Sequence, residues 1–318
     1  MDLSLRRAYD GRADKRTTHS TCALRFAMLL AGISGASALS APTVEAQSSP
    51  RPGQQVVLVT GSTGGLGREV ARRLGSMGAF VIVHGRNHER GMEVVEAIES
   101  EGVGNARFYA ADLGSFEQVR EFGETILRDY DRLDVLVNNA GLGSAPDERI
   151  LSQDGLELRF QVNHLSHFLL TRMLLPRLRA NAPSRIVNVS SGAQQAIDFD
   201  DVMIEKNFSG GRAYAQSKLA QVMFTIDLAE ELEGTGVVVN ALHPATYMDT
   251  EMVRRAGLTP RATVGDGADA VMNLITSPDI GSGGYFNRLR PARANAQAYD
   301  AEARAKLRRL SEELTGVQ

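Results

Sequence analysis

The sequence contains a single cysteine, Cys22, and this scarcity narrows the possible functions. One thiol can form neither a disulfide within the chain nor a metal site built from several thiolates. His164 and His167 have no metal-ligand partners at a suitable spacing, so we predict no metal site and interpret both as packing or surface residues. The formal net charge is only −3, which gives no reason to expect a nucleic-acid partner.

The first fifty residues lack a hydrophobic run long enough for a stable membrane span. Their most apolar stretch, Phe26 to Leu39, is short and rich in glycine and serine. It follows a basic beginning and precedes the small-residue site Val44-Glu-Ala46, a pattern typical of a removable export signal. The signal would make the protein periplasmic or otherwise exported. The alternative is a cytoplasmic protein whose start codon is assigned too early.

Short apolar strands alternate with helical patterns from Gln55 onward. This alternation predicts an α/β fold, a Rossmann-type doubly wound parallel sheet of about seven strands in a single domain. The helical patterns include a long one from Asp154 to Ala180 and a surface helix from Ala294 to Leu314. We therefore divide the chain into a signal-like segment (1–46), a linker (47–53), a folded domain (54–290) and a C-terminal helical tail (291–318).

Glycines lie between the first strand and the first helix, from Gly61 to Gly67. They would let the backbone approach a pyrophosphate at the helix N-terminus, although a plain tight turn is the alternative. No Gly-Lys-Ser/Thr follows, which disfavours a triphosphate site. The second strand ends at Arg86 instead of an acidic residue, which favours the 2′-phosphate of NADP over NAD, unless Arg86 is only a solvated turn residue. Asp112 suits the adenine edge or a helix cap.

Tyr214 and Lys218 lie four residues apart in a helical pattern, so they share one helix face. Lowering a phenol pKa from ~10 to ~7 takes roughly 4 kcal/mol. One positive charge at about 4 Å supplies on the order of 4 kcal/mol in a medium of intermediate dielectric. The pair could thus make a phenol that exchanges protons at neutral pH. Ser191 follows another strand, at the sheet edge where ligands bind in this fold class.

Four motifs occur in order over residues 54–286: Thr60-Gly-x-x-x-Gly65-x-Gly67, Asn138-Asn-Ala-Gly141, Ser191 and Tyr214-x-x-x-Lys218. This combination resembles the classical short-chain dehydrogenase/reductases. The segment Val162 to Phe168 and the pattern Tyr-x-x-Ser-Lys-Leu-Ala are similar to the retinol dehydrogenase-like branch. The resemblance implies that residues 54–290 are an NADP-binding catalytic domain.

The resemblance also implies a role for each matched residue. Tyr214 would exchange a proton with the substrate oxygen, Ser191 would hydrogen-bond that oxygen, and Lys218 would hold the nicotinamide ribose. Asn163 would position a water that links Lys218 to solvent, and Asn138 would lie near the adenosine ribose. The carboxamide would meet Thr246 or Thr250, because this chain has Pro244-Ala245 where the branch usually has Pro-Gly. The implied cofactor-binding residues are Gly61, Ser62, Thr63, Gly65, Leu66, Gly67, Arg86, Asp112, Leu113, Asn139, Ala140, Gly141, Tyr214, Lys218, Pro244 and Thr246.

These observations predict an NADP(H)-dependent oxidoreductase that interconverts an alcohol and a carbonyl on a small apolar substrate. The expected cover of the substrate pocket is apolar: Phe199, Met203, Phe208, Tyr247 and Met248. The alternative is a catalytically silent NADP-binding sensor or scaffold of the same fold. Many members of the family pair through the helices that here begin near Asp154 and Arg212, so a homodimer or homotetramer is expected.

Overall fold

A computed structural model describes residues 48–317, which form one α/β domain. Its strands are β1 (Val56–Val59), β2 (Phe80–Gly85), β3 (Asn105–Ala110), β4 (Val135–Asn138), β5 (Ser184–Val189), β6 (Val237–His243), β7 (Tyr285–Asn287) and β8 (Arg290–Pro291). They form one sheet in the order β3-β2-β1-β4-β5-β6-β7-β8. Strands β1 to β7 are parallel and β8 is antiparallel to β7. The predicted Rossmann-type fold is confirmed, with β8 as an additional short edge strand.

Helices cover both faces of this sheet. They are α1 (Gly65–Ser76), α2 (His88–Ser100), α3 (Phe116–Asp129), α4 (Leu158–Phe160), α5 (Ser166–Ala180), α6 (Gly210–Glu231), α7 (Glu251–Arg255), α8 (Val264–Thr276) and α9 (Ala301–Thr315). Helices α3, α5, α6 and α9 pack on one face, and α1, α2 and α8 pack on the other.

Strand β1 shows why the sheet is rigid. All four of its residues are buried, because successive side chains point to opposite faces and both faces carry helices. Val56 and Leu58 pack into the layer of α3, α5 and α6, whereas Val57 and Val59 pack into the layer of α1, α2 and α8. A strand buried on both sides holds the loop that follows it in a fixed place.

The long helix predicted from Asp154 differs in the structure. It begins only at α4, where Glu157 caps it by accepting a hydrogen bond from the backbone N–H of Phe160. Residues Gln161–Leu165 then form a π-helical turn before α5 continues. Asp154 instead accepts a hydrogen bond from Phe116 N, 2.9 Å away, which anchors the preceding turn to the start of α3. A π-helical turn inserts one extra residue, and such turns occur frequently at functional sites.

The C-terminal helix also differs from the prediction of a surface helix beginning near Ala294. A 3₁₀ turn, Ala296–Tyr299, comes first, and α9 follows it. One face of α9 is buried, including Leu307 and Ser311. The Ser311 hydroxyl lies 2.9 Å from His164 Nε2, and α9 thereby contacts the π-helical turn.

The predicted export signal lies outside the described residues. The boundaries of the segments 1–46, 47–53, 54–290 and 291–318 therefore stay predictions. Between residues 48 and 317, no helix combines the length and the apolar character that crossing a bilayer requires.

Candidate active site

The carboxyl ends of the central strands border one cavity of about 940 Å³. The turn between β1 and α1 forms its floor. Gly61 and Gly65 have φ angles of +64° and +52°, a region that glycine adopts without strain. At Gly67 an added Cβ would lie 2.4 Å from Gly61 O, so a larger residue would displace the turn. Asn139, the residue after β4, holds the turn in place by donating to Thr60 O over 2.7 Å.

This turn fits a pyrophosphate. The first N–H groups of a helix have no partners within the helix and carry partial positive charge. Gly64 occupies the N-cap of α1 and provides no side-chain cap, and the first turn contains no acidic residue. The amides therefore remain suitable for an anion in the cavity. Ser62 is placed differently from its neighbours: its N–H donates to His84 O and its hydroxyl donates to Val59 O, so it does not line the cavity.

The end of the cavity near β2 carries Arg86 and Asp112. Arg86 is 69% exposed, and its nearest carboxylate contact is Asp112 at 3.9 Å, which leaves most of its hydrogen-bonding capacity free for a ligand. Asp112 accepts a hydrogen bond from Gly114 N at 3.0 Å. It does not cap α3, because Ser115 does so through Gln118 N. Asp112 thus remains directed to the cavity, which it lines.

Ser191 and Tyr214 meet at the other end of the cavity. Both side chains line the cavity, and Ala193 N donates to Ser191 Oγ over 3.1 Å. Tyr285 donates from its hydroxyl to Ser191 O over 2.9 Å, which fixes the backbone on the β7 side. Tyr214 lies in the first turns of α6, whose N-terminus is capped by the side chain of Ser209. A phenol and a hydroxyl are therefore held together at a strand end.

Burial sets the proton affinities of the Tyr214 and Lys218 pair. Tyr214 is half-buried, and the loss of solvent raises the pKa of its phenol, while the neighbouring Ser191 hydroxyl acts in the opposite direction. Lys218 is buried, which lowers its pKa to about 7. Its Nζ lies 5.9 Å from the centre of the Tyr214 ring. The argument from the sequence omitted burial, which disfavours the charged form of both groups.

Asn163 sits in the π-helical turn and is fully buried. Its Oδ1 accepts from Leu142 N at 2.7 Å, and its Nδ2 donates to Leu142 O and to Ser217 Oγ. The buried amide therefore has the hydrogen-bond partners that it needs. The amide fixes the loop after β4 against α6, and it does not line the cavity.

Several comparisons with known proteins agree with this geometry. The sequence profile described as short chain dehydrogenase matches residues 55–260. Human retinol dehydrogenase 13 is 37% identical over 290 residues, which cover 84% of this chain and 86% of the relative. The chain belongs to the short-chain dehydrogenase family. Human retinol dehydrogenase 14 is 36% identical over 294 residues, covering 83% and 87% of the two chains, and these similarities confirm the predicted retinol dehydrogenase-like branch.

Solved structures of other short-chain dehydrogenases have the same fold. One from Escherichia coli CFT073, in complex with NADPH, has a TM-score of 0.62 and 28% identity, covering 74% of this chain and 96% of that chain. One from Burkholderia cenocepacia J2315, in complex with NADP, has a TM-score of 0.60 and 27% identity, covering 73% and 95%. Both predicted features, the family and the fold, are thus supported independently.

Most residues that the sequence singled out as cofactor-binding line the cavity of this short-chain dehydrogenase, and Ser62 does not. Asn138 is also turned away, because its amide donates to Thr171 and Asn188. Thr246 lies near the Ser191 end, where His243 Nε2 is 3.0 Å from its hydroxyl. Thr250 caps α7 and stands over Gly65. The lining residues are Gly61, Thr63, Gly65, Leu66, Gly67, Arg86, Asp112, Leu113, Asn139, Ala140, Gly141, Ser191, Tyr214, Lys218, Pro244, Thr246 and Thr250.

The expected apolar cover is only partly correct. Tyr247 and Met248 line the cavity, whereas Phe199 and Met203 pack against the core and Phe208 lies on the Arg159 guanidinium. The segment between β5 and α6 is drawn inward by its buried residues Ile197 and Ile204. Phe199 and Met203 therefore pack against the core instead of covering the pocket.

Other lining residues were missed from the sequence. His84 is buried below the glycine turn, where its Nδ1 accepts from Gly61 N at 3.1 Å, and burial lowers its pKa to about 4. It stays neutral and supports the turn at physiological pH. Other missed side chains come from loops, from the ends of β6 and β7 and from the short helix α7, whose positions only the fold determines: Leu142, Leu151, Ser152, Gln153, His243, Met252, Val253 and Asn287.

The two histidines of the π-helical region are packing residues. His167 lies 3.0 Å from Thr60 Oγ1 through Nε2 and 3.1 Å from Asn163 O through Nδ1. Burial lowers the pKa of both His164 and His167 to about 3. In the described part of the chain, no cluster of three or more histidine, cysteine or acidic side chains is arranged to hold a metal ion.

Proposed function

We propose that this protein is an NADP(H)-dependent oxidoreductase that interconverts an alcohol and a carbonyl on a small apolar substrate, with Tyr214 as the acid/base. The observation that carries the proposal is the shared cavity, which is lined by the glycine turn, Arg86, Ser191 and Tyr214. Such a site has an anion-binding end and a proton-donating end, as a nicotinamide-dependent reaction requires.

In this proposal NADPH, when bound, supplies the hydride, and the protein supplies the proton and the orientation. Tyr214 donates its phenolic proton to the substrate oxygen, and Ser191 hydrogen-bonds that oxygen. The raised pKa of Tyr214 keeps the phenol protonated at neutral pH, which is the form that carbonyl reduction needs. Lys218 binds the nicotinamide ribose, and Thr246 faces the carboxamide. Asn163 holds Leu142 and Ser217 in place beside them.

An apolar substrate is supported by one apolar wall of the cavity. This wall comes from the loop after β4, from the segment between β6 and α7 and from α7 itself, and it consists of Leu142, Tyr247, Met248, Met252 and Val253. Gly143 lies so close to Met252 that an added Cβ would be 2.9 Å from its side chain. The two segments therefore meet and face the cavity with hydrocarbon, which suits an apolar substrate.

NADP is proposed over NAD because of Arg86, and because related dehydrogenases were solved with NADPH or NADP. Replacing Arg86 by alanine should weaken NADPH binding by about 10- to 100-fold, since a charge-assisted hydrogen bond contributes about 1.5–3 kcal/mol. NADH binding should change little. The two dissociation constants, measured by fluorescence titration, provide the check. Arg68→Ala is the control, because Arg68 pairs with Glu93 outside the cavity; an equal loss for both nucleotides would contradict the assignment.

The proposal is tested by assaying the purified protein with NADPH and a panel of apolar aldehydes and ketones that includes retinal. We expect oxidation of NADPH with at least one of them. We also expect a higher melting temperature with NADPH, because saturation at about 100 times Kd stabilises the folded state by about 2.7 kcal/mol. A rise in melting temperature without turnover on any substrate would favour the sensor or scaffold. The homodimer or homotetramer and the export signal stay predictions, which native mass spectrometry would test.

A further inference from the structure

The ammonium of Lys218 is held by two acceptors inside the protein. Nζ donates to Val189 O and to Gln221 Oε1, each over 2.9 Å. An ammonium has three N–H donors, so one remains for a ligand in the cavity that Lys218 lines. Gly141 borders this position, because an added Cβ there would lie 3.4 Å from Nζ. The direction of the free donor therefore depends on the two acceptors.

The titratable groups that face this ammonium carry no charge at neutral pH. They are Tyr214 on α6 and His167 on α5. The phenol pKa of Tyr214 is raised and the imidazole pKa of His167 is lowered to about 3. Burial alone brings the pKa of Lys218 down to about 7. The positive charge is thus stabilised by dipoles, of which Val189 O belongs to the backbone and Gln221 Oε1 to a side chain.

Gln221 is expected to destabilise the folded state at its position. It is 2% exposed, and its Nε2 has no hydrogen-bond partner. An unpaired buried donor destabilises the folded state, and methionine would fill a similar volume without one. A flip of the side-chain amide would not give Nε2 a partner, because the nitrogen would then face the ammonium, which is also a donor. Stability therefore does not explain a glutamine here.

We propose that Gln221 is a positioning residue that keeps Lys218 protonated and directs its free N–H to the cavity. The inference rests on the proposed oxidoreductase function, in which Lys218 binds the nicotinamide ribose as a cation. A hydrogen bond accepted from an ammonium stabilises its charged form and raises its pKa. Removing the acceptor must lower that pKa, so Lys218 would lose its proton at a lower pH.

The chain allows a direct test, because it contains four lysines, Lys15, Lys206, Lys218 and Lys306. Labelling them with ¹³C at Cε gives few enough NMR signals to follow each one through a pH titration of the full-length, cofactor-free protein. The Lys218→Arg variant identifies the signal of Lys218. We expect Gln221→Met to lower the Lys218 pKa by about one to two units, the equivalent of one charge-assisted hydrogen bond. Gln221→Glu should raise it.

Gln216 provides a matched control. It lies on the same helix, is 1% exposed, and also has a buried Nε2 without a partner. Its Oε1 accepts from Arg212 Nε at 2.9 Å instead of from Lys218. Gln216→Met should therefore leave the Lys218 titration unchanged. Should Gln221→Met fail to fold, Gln221→Leu replaces it, because leucine also removes the acceptor and is expected to lower the Lys218 pKa.

Activity gives a second, separate result. If the wild-type protein reduces a carbonyl, the alkaline limb of its kcat/KM profile should move to lower pH in Gln221→Met and stay in place in Gln216→Met. A wild-type protein without turnover would count against the proposed function, while the NMR titration would still test Gln221. Identical Lys218 titrations in wild type, Gln221→Met and Gln221→Glu would overturn the inference.

Discussion

Replacing Tyr214 by phenylalanine is expected to lower kcat for carbonyl reduction by about a hundredfold to ten-thousandfold. This is the usual contribution of a positioned general acid. The change removes the phenolic oxygen, which lies in the same cavity as Ser191, and leaves the ring in place. NADPH should still bind, because the glycine turn and Arg86 are untouched. Steady-state kinetics together with an NADPH titration would separate the two effects.

The matched control for this prediction is Tyr299→Phe. Tyr299 is also a tyrosine with a hydrogen-bonded hydroxyl, which accepts from Ala294 N, but it lies outside the cavity. Its replacement should leave kcat unchanged. Undiminished turnover in Tyr214→Phe would show that another group delivers the proton, and the proposed mechanism would have to be abandoned.

Replacing Arg159 by methionine should destabilise the protein by about 3–5 kcal/mol, the cost of leaving one charge of a buried ion pair alone. Arg159 and its partner Glu157 are 2% and 1% exposed, and they lie 3.3 Å apart. The guanidinium also donates to the carbonyl oxygens of four residues in the loop after β4: Gly143, Ser144, Pro146 and Glu148. The midpoint of urea unfolding would measure the loss.

A double variant separates the charge from the loop contacts. Glu157→Gln removes the negative charge and keeps an oxygen that can cap α4 at Phe160 N. Combined with Arg159→Met, it should recover part of the stability, because no buried charge then remains unpaired. The rest of the loss would measure the carbonyl contacts. An Arg159→Met protein with the unfolding midpoint of the wild type would show that the pair adds no stability.

The sheet and its helices could be predicted because their signals are local. Helix α2 is an example, since Asn87 caps it by accepting from Arg90 N and its apolar residues repeat along one face. The π-helical turn could not be predicted. It depends on contacts of Asn163 with Leu142 and Ser217, residues that come together only in the folded chain.

In the candidate site, too, local sequence signals predict some features, and others depend on tertiary contacts. Spacing along one helix and along strand ends was enough to bring Ser191 and Tyr214 together. The protonation of Lys218 was not accessible in this way, because it depends on burial and on Gln221, whose contact follows from the packing of α6. The place of Phe199 was also unpredictable from composition. An apolar side chain in a loop can line a pocket or pack into the core, and its composition alone does not distinguish the two locations.

The contacts of α9 have a practical consequence for handling this protein. Arg304 and Arg308 pair with Glu230 and Asp227 on α6, and Leu307 lies beside Phe168 and Phe224. A chain truncated at residue 300 would expose both aromatic rings to solvent and leave both acidic side chains without their ion-pair partners. Aggregation of such a truncated protein would then result from the exposed rings and the unpaired carboxylates. It would give no information about the oligomeric state of the native protein.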